Sequence, residues 1–198
     1  MHSPTNEYCQ LWSRFKTGDS VAFGQLVTQH YKLLYNYATK FSKDRDFVED
    51  CLQEVFLDLW HNRTNLSETV VVKAYLLTAV RNRLLKSLRR ANLFQSIDEL
   101  TFTPDIIERP VEELLIAGEQ QDEQVRQLQQ SILQLTPRQQ EIIYLRFYQQ
   151  LNHDEIAQLL NLSRPSVANL LSIALKELRK KIQWSTISML FMLSSALQ

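Results

Sequence analysis

Basic, aromatic and amide side chains occur together over residues 73–90, in the segment KAYLLTAVRNRLLKSLRR. Cationic groups bind phosphates, an aromatic ring stacks on an unpaired base, and an amide hydrogen-bonds to base edges. This combination is what strand-separated DNA requires of a protein surface. An ordinary amphipathic helix with a solvated charged face is the alternative interpretation. The residues with this chemistry are Lys73, Tyr75, Arg81, Asn82, Arg83 and Lys86.

A helix-turn-helix is predicted over residues 135–182 from apolar spacing and a tight turn. Ala157 is small enough for two helices to cross closely, and Asn161 tolerates the left-handed backbone of the turn. From Val167 onward, apolar residues recur at intervals of three and four and predict one buried stripe. The outer side, which enters the major groove in such motifs, carries Arg164, Ser166, Asn169, Ser172 and Lys176. A small helical bundle with a polar face is the alternative.

Helix caps predict where these C-terminal helices begin. Thr136 and Gln139 form a capping box around Pro137, which is acceptable at a first helical position. We expect Asn152 to cap the first helix of the pair and Ser163 to cap the second.

Long segments of helical periodicity, with only 3 Gly and 5 Pro, predict an all-α fold. In the N-terminal half, Asp19 is expected to cap a helix that ends near Phe41. A capping box led by Asp46 is expected to start a second helix that runs through Trp60. A third helix is predicted from about Val72 to Arg90.

The second of these helices carries an acidic and polar stripe at positions i, i+3, i+4 and i+7. Such a stripe is usually solvated surface, and alone it does not define a site. Its members are Asp50, Gln53, Glu54 and Leu57.

Composition and motifs argue against an enzyme and against a secreted protein. The chain has 198 residues and is 44% apolar, which is typical of a globular protein. We find no metal-ligand spacing, Gly-rich phosphate loop or nucleophile motif, and therefore expect no cofactor. Cys9 and Cys51 do not form a disulfide framework, and we see no leading signal segment, so we expect a cytoplasmic protein with free thiols.

The zero net charge hides a strongly uneven distribution along the chain. Residues 73–97 carry 6 Lys/Arg and no Asp/Glu, 98–124 carry 1 and 9, and 125–198 carry 8 and 4. Because phosphate affinity follows local basic clusters, neutrality is no evidence against DNA binding. The predicted organisation is a first domain at 1–92, an acidic linker at 93–124, a second domain at 125–183 and an apolar tail at 184–198. A simple solvated tether is the favoured reading of the linker.

Taken together, DFVEDCLQEVFLDLW, KAYLLTAVRNRLLKSLRR and the C-terminal helix-turn-helix resemble, in this order, a bacterial RNA polymerase sigma factor of the extracytoplasmic-function (ECF) group. The resemblance implies a non-enzymatic specificity subunit whose partners are core RNA polymerase, promoter DNA and an anti-sigma factor, with no small-molecule substrate. It implies that Asp50, Gln53, Glu54 and Leu57 bind the clamp helices of the largest polymerase subunit.

The same resemblance assigns promoter contacts to both domains. The third helix and the preceding loop, about 62–72, would bind and melt the minus-ten element by capturing a flipped base. The helix from Arg164 would read the minus-thirty-five element, and the linker would run toward the active-site and RNA-exit channels. The implied minus-ten residues are Asn65, Lys73, Tyr75, Arg81, Asn82, Arg83 and Lys86, and the implied minus-thirty-five residues are Arg138, Arg164, Ser166, Asn169 and Lys176.

The recognition helix departs from the family pattern because Ala168, Leu170 and Ile173 stand where Lys or Arg is common. Each missing phosphate contact lowers the salt slope by about 0.9, so we expect weak upstream-element binding by the free protein. An interaction protein of this fold that binds polymerase or a regulator without reading promoters is therefore the alternative function. The uncharged tail 184–198 is too short for membrane insertion. It is expected either to form an extra helix that packs on its own domain, or to mask the promoter-reading surface or dock a partner.

Overall fold

The computed structural model describes residues 4–68, 71–91, 102 and 119–181. Side chains are described from residue 10 onward in the first range and for residues 126–180 in the last range. All regular elements within these ranges are helical, in agreement with the predicted all-α class. The described residues fall into two compact units, at 1–95 and 96–198. The helices are α1 (Pro4–Lys16), α2 (Ser20–Ala38), α3 (Arg45–His61), α4 (Val72–Arg90), α5 (Glu119–Leu133), α6 (Pro137–Ile143), α7 (His153–Leu160) and α8 (Arg164–Lys181).

In the first unit, α1 and α2 are joined by a turn with Gly18 at φ +95°. Asp19 caps α2 as predicted, since its Oδ1 accepts the N–H groups of Val21 and Ala22 at 2.9 and 3.0 Å. These hydrogen bonds and the neighbouring Arg14 guanidinium lower the pKa of Asp19. Helix α2 ends at Ala38, slightly before the predicted Phe41.

The predicted start of α3 was wrong. Asp44, not Asp46, is the N-cap, and its Oδ1 accepts the Phe47 N–H at 3.1 Å. Asp46 lies inside the first turn, where its negative charge interacts favourably with the positive end of the helix dipole. Helix α4 has the predicted bounds.

The core of the first unit is formed by facing stripes of α1 to α4. Leu52, Leu77 and Leu84 are fully buried among them. Helix α1, which the sequence reading did not identify, contributes Trp12 and Phe15 to the same core. Its Leu11, Trp12 and Phe15 lie at i, i+1 and i+4, the spacing that could have revealed it.

In the second unit, the predicted caps are confirmed. Thr136 and Gln139 form the capping box of α6, and Asn152 and Glu155 form one at α7. Asn161 adopts φ 52° and ψ 52°, as the turn prediction required. Ser163 Oγ accepts the Ser166 N–H at 3.2 Å at the start of α8.

Helix α6 continues into a π-helical turn, Tyr144–Tyr148, that the sequence did not predict. None of the helices in the described ranges is long and apolar enough to cross a membrane. The tail 184–198 and most of the predicted linker lie outside the described residues.

Candidate nucleic-acid interface

The stripe on α3 lies on one side of the first unit. Its opposite face, including Val48, Leu52 and Val55, is buried in the core, which fixes the rotation of the helix. Asp50 and Gln53 are exposed, and Leu57 keeps 57% of its surface accessible. An exposed leucine between polar side chains suits a protein contact, although one alone is common on protein surfaces.

Glu54 differs from the rest of the stripe because it pairs with α4. Its carboxylate forms an ion pair with the guanidinium of Arg83, and both side chains are partly buried. A residue expected to bind polymerase therefore contacts a residue expected to bind DNA.

A pocket of about 270 Å³ lies between α3 and α4. It brings together four of the residues that the sequence singled out on α4 with Asp58 of α3, which the sequence reading did not select. The lining thus offers amide, phenol and cationic groups and the carboxylate of Asp58 beside apolar atoms, a combination that suits a planar heterocycle that carries a phosphate. The lining residues are Val55, Asp58, Leu59, Asn62, Tyr75, Ala79, Asn82, Arg83 and Lys86.

Tyr75 is held in this pocket by its neighbours. Its ring packs edge-on against Trp12 with centroids 5.8 Å apart. Burial, and secondarily the charge of Asp58, raise the pKa of the Tyr75 hydroxyl.

Arg81 is a correction to the predicted minus-ten surface. It is only 3% exposed, because its position on α4 faces the core together with Leu77 and Leu84. Its guanidinium therefore cannot lie on the face that Asn82 and Lys86 present to solvent. Lys73 is half-buried, and Asn65 is exposed in a short 3-10 turn, Arg63–Asn65; neither lines the pocket.

Helix α1 supports the loop that precedes α4. The Trp12 indole N–H donates to the Ser67 carbonyl at 3.0 Å, and Lys16 pairs with Glu68 at 2.8 Å. On the other side of the loop, the Arg63 guanidinium stacks over Trp60 at 4.4 Å. These contacts hold residues 63–68 against α1 and the end of α3.

In the second unit, α7 and α8 form the helix-turn-helix. The outer side of α8 exposes Arg164, Asn169 and Lys176, while Ser166 is half-buried and bonded to Ser163 at 2.8 Å. Arg164 lies 3.6 Å from Asp154, and both side chains are largely exposed.

Apolar side chains interrupt the outer side of α8. Ile173 is 41% exposed on it, and Leu170 is half-buried. An apolar side chain makes no charged phosphate contact, so these positions add nothing to the salt-dependent affinity for DNA.

Arg138 is used inside the second unit. Its Nη2 donates to the Leu160 carbonyl at 2.9 Å, and its Nη1 lies 3.7 Å from the carboxylate of buried Glu141. It thus ties α6 to the last turn of α7 and presents little of its guanidinium to solvent. This geometry does not support the expected role of Arg138 as a phosphate contact.

The fold and these surfaces define a helical DNA-binding protein with a C-terminal helix-turn-helix. The family model of sigma-70 region 2 matches residues 26–93, and the family model of sigma-70 region 4 matches residues 131–180. The RNA polymerase sigma factor NccH of Alcaligenes xylosoxydans xylosoxydans is 26% identical over 181 residues, 89% of this chain and 95% of that protein. The ECF RNA polymerase sigma factor SigL of Mycobacterium tuberculosis H37Rv is 26% identical over 166 residues, 80% and 87% of the two chains.

Two solved structures share the fold. CnrH in complex with the cytosolic domain of CnrY has a TM-score of 0.56 at 22% identity, covering 86% of this chain and 93% of that one. RpoE of Bartonella quintana in complex with the anti-sigma factor NepR has a TM-score of 0.56 at 16% identity, covering 82% and 98%. The chain belongs to the sigma-70 family as an ECF-type sigma factor, a protein that directs transcription initiation at promoters.

Proposed function

We propose that the first unit contacts both core RNA polymerase and the melted minus-ten element, and that α8 reads the minus-thirty-five element. The observation that carries the proposal is the pocket between α3 and α4, which combines Tyr75, Asn82, Arg83 and Lys86. No bond of the polynucleotide is broken in this role, so the protein acts without catalytic turnover. It acts in the cytoplasm, because that is where the polymerase is found.

The polymerase contact is assigned to the exposed part of the α3 stripe. Asp50 and Gln53 offer polar groups around the exposed Leu57, which suits a polar-rimmed protein interface. Glu54 is assigned a double role, because its carboxylate also holds Arg83.

The pocket is proposed to receive one unstacked nucleotide of the minus-ten element. Asn82 is exposed at the pocket and can donate and accept hydrogen bonds at a base edge. Arg83 and Lys86 provide positive charge for the adjoining phosphates. Lys73 and Asn65 are proposed to contact the strand outside the pocket.

Minus-thirty-five recognition is proposed to use Arg164, Ser166, Asn169 and Lys176 on α8. The interrupted cationic surface supports weak binding by this unit alone, so that tight promoter binding requires the holoenzyme. Arg138 is proposed to support the fold of this unit and to make no direct phosphate contact.

An anti-sigma factor is a further proposed partner. The CnrH and RpoE structures are complexes with CnrY and with the anti-sigma factor NepR, respectively.

The experiment is run-off transcription with core polymerase, with core binding measured separately. Asn82→Ala should lower promoter-specific transcript by about tenfold, since one base-edge contact contributes about 1–3 kcal/mol, and should leave core binding unchanged. Gln53→Ala should weaken core binding. The matched control is Gln25→Ala, an exposed substitution on α2 away from both surfaces. Full transcript from Asn82→Ala would refute the pocket assignment.

One observation favours a second function, that of a polymerase-binding regulator that reads no promoter. Ile173 is exposed where a cation is expected, so α8 has an apolar patch on its DNA-facing side. Core binding without promoter-specific transcript on any member of a promoter library would establish this alternative. Increased upstream-element binding by Ile173→Arg, in contrast, would support the promoter-reading role.

A further inference from the structure

Phe102 contradicts the view that the whole acidic segment is a solvated tether. It is the described residue between Ala91 and α5, and it is 2% exposed. Its ring meets the ring of Tyr144 edge-on, with centroids 5.8 Å apart and an interplanar angle of 65°. Full burial of a phenylalanine against an aromatic partner is typical of a core contact.

The partner surface is built by the π-helical turn. The Gln149 N–H donates to the Tyr144 carbonyl, five residues earlier, at 3.0 Å, and Gln149 Nε2 donates to the Tyr144 hydroxyl at 2.9 Å. Tyr148 stacks on Tyr144 at 4.9 Å and remains 52% exposed. We call Phe102, Tyr144 and Tyr148 the aromatic cluster. Single π-helical turns are uncommon and occur frequently at functional positions.

We propose that the aromatic cluster anchors the acidic linker to the second unit and thereby limits how far apart the two promoter-binding units can act. Eleven peptide units separate Ala91, the C-cap of α4, from Phe102, and at ~3.6 Å each they span at most about 40 Å. Counted instead to Glu119, where α5 begins, the path from Ala91 has twenty-eight peptide units and an upper limit of about 100 Å.

This inference rests on the proposed function, because it concerns the spacing of the two DNA elements. Each base pair added between the elements moves them apart by about 3.4 Å along straight DNA. An anchored linker should therefore penalise long spacers, and Phe102 becomes a determinant of which promoters are used.

The first test measures the anchor without transcription. A Glu-specific protease is applied to the full chain, and cleavage after Glu99, three residues before Phe102, is followed by mass spectrometry. Phe102→Ala should be cleaved at least tenfold faster than the natural chain, whereas Phe102→Leu, which keeps apolar bulk, should lie between them. Thr101→Ala is the control for a neighbouring substitution. Equal cleavage rates for Phe102→Ala and the natural chain would overturn the anchor.

The second test measures the consequence with the holoenzyme. Run-off transcription is performed on promoters whose spacer is lengthened one base pair at a time. Phe102→Ala should raise the transcript from spacers two or three base pairs too long by several-fold relative to the optimum. An unchanged spacer profile would overturn the limit on reach. If no promoter is transcribed by the natural chain, the proposed function fails, while the protease result still decides whether the anchor exists.

Discussion

Arg138 allows a sharp test of how the helix-turn-helix is held together. Arg138→Met removes the guanidinium that binds the Leu160 carbonyl and lies 3.7 Å from the Glu141 carboxylate. The side chains of Arg138 and Glu141 are 15% and 1% exposed, so solvent replaces the lost interactions poorly. Met keeps the approximate length and apolar volume of the side chain, which limits the loss of packing.

The size of the effect follows from these distances. At an effective dielectric constant of about 20, two charges 3.7 Å apart interact by roughly 4 kcal/mol, and removing one partner of a buried pair costs about 3–5 kcal/mol. The 3.7 Å separation is too long for a hydrogen bond. We therefore expect a loss at or somewhat below the lower end of that range, about 2–3 kcal/mol.

Hydrogen exchange of the full chain, read by mass spectrometry on peptides from α6 to α8, measures this loss directly. A loss of that size should reduce amide protection by roughly 30- to 150-fold, since each 1.36 kcal/mol is tenfold. Adding Glu141→Leu to Arg138→Met should restore much of the protection, because removing both partners leaves no buried charge. Lys176→Met, an exposed substitution on α8, is the control.

A different result would support the sequence-based prediction that Arg138 contacts a DNA phosphate. If Arg138→Met leaves amide protection unchanged but weakens promoter binding and lowers the salt slope by about 0.9, then Arg138 contacts a phosphate. The position of its guanidinium against α7 would then have no energetic consequence.

Three other predictions concern a cap, a thiol and the linker. Asp19→Ala should lower the melting temperature at pH 7. The pKa of Asp19 is lowered in the folded state, so its contribution to folding stability is present above the ordinary aspartate value of about 3.9. This contribution is lost as the pH falls through the folded pKa. The melting temperatures of the natural chain and of Asp19→Ala should therefore converge in acid. The buried Cys51 thiol, whose pKa is raised by burial, should react with iodoacetamide at pH 8 at least ~10-fold more slowly in the native than in the urea-unfolded chain, and equal rates would contradict its burial. Neutralising the nine acidic residues of 98–124 should change the ratio of abortive to full-length transcripts, if this segment occupies the RNA path; an unchanged ratio would argue against it.

Features set by local chemistry could be predicted from the sequence. The caps at Thr136, Asn152 and Ser163 depend on side chains that reach only two or three residues along the chain, and all three form. The left-handed Asn161 is equally local. The bounds of α4 follow from its apolar period. The error at α3 arose because Asp44 and Asp46 are both suitable caps, and only the path of the preceding turn selects between them.

Features set by tertiary packing could not be predicted in this way. Arg81 and Arg83 were both predicted to be DNA-binding cations. The rotation of α4 against its neighbours buries Arg81, and it leaves Arg83 at the pocket, where it pairs with Glu54. Asp58 enters the pocket only because α3 and α4 are adjacent. Phe102 lay in a segment without periodicity, and its burial depends on the π-helical turn, for which the sequence offered no recognised signal.

The ion pair between Glu54 and Arg83 also bears on protein engineering. A chimera that receives α4 from a relative in order to change promoter choice would bring a foreign side chain against Glu54, and the graft would then disturb the helix assigned to polymerase. Helices α3 and α4 should therefore be exchanged as one cassette, with the acidic and basic positions kept matched.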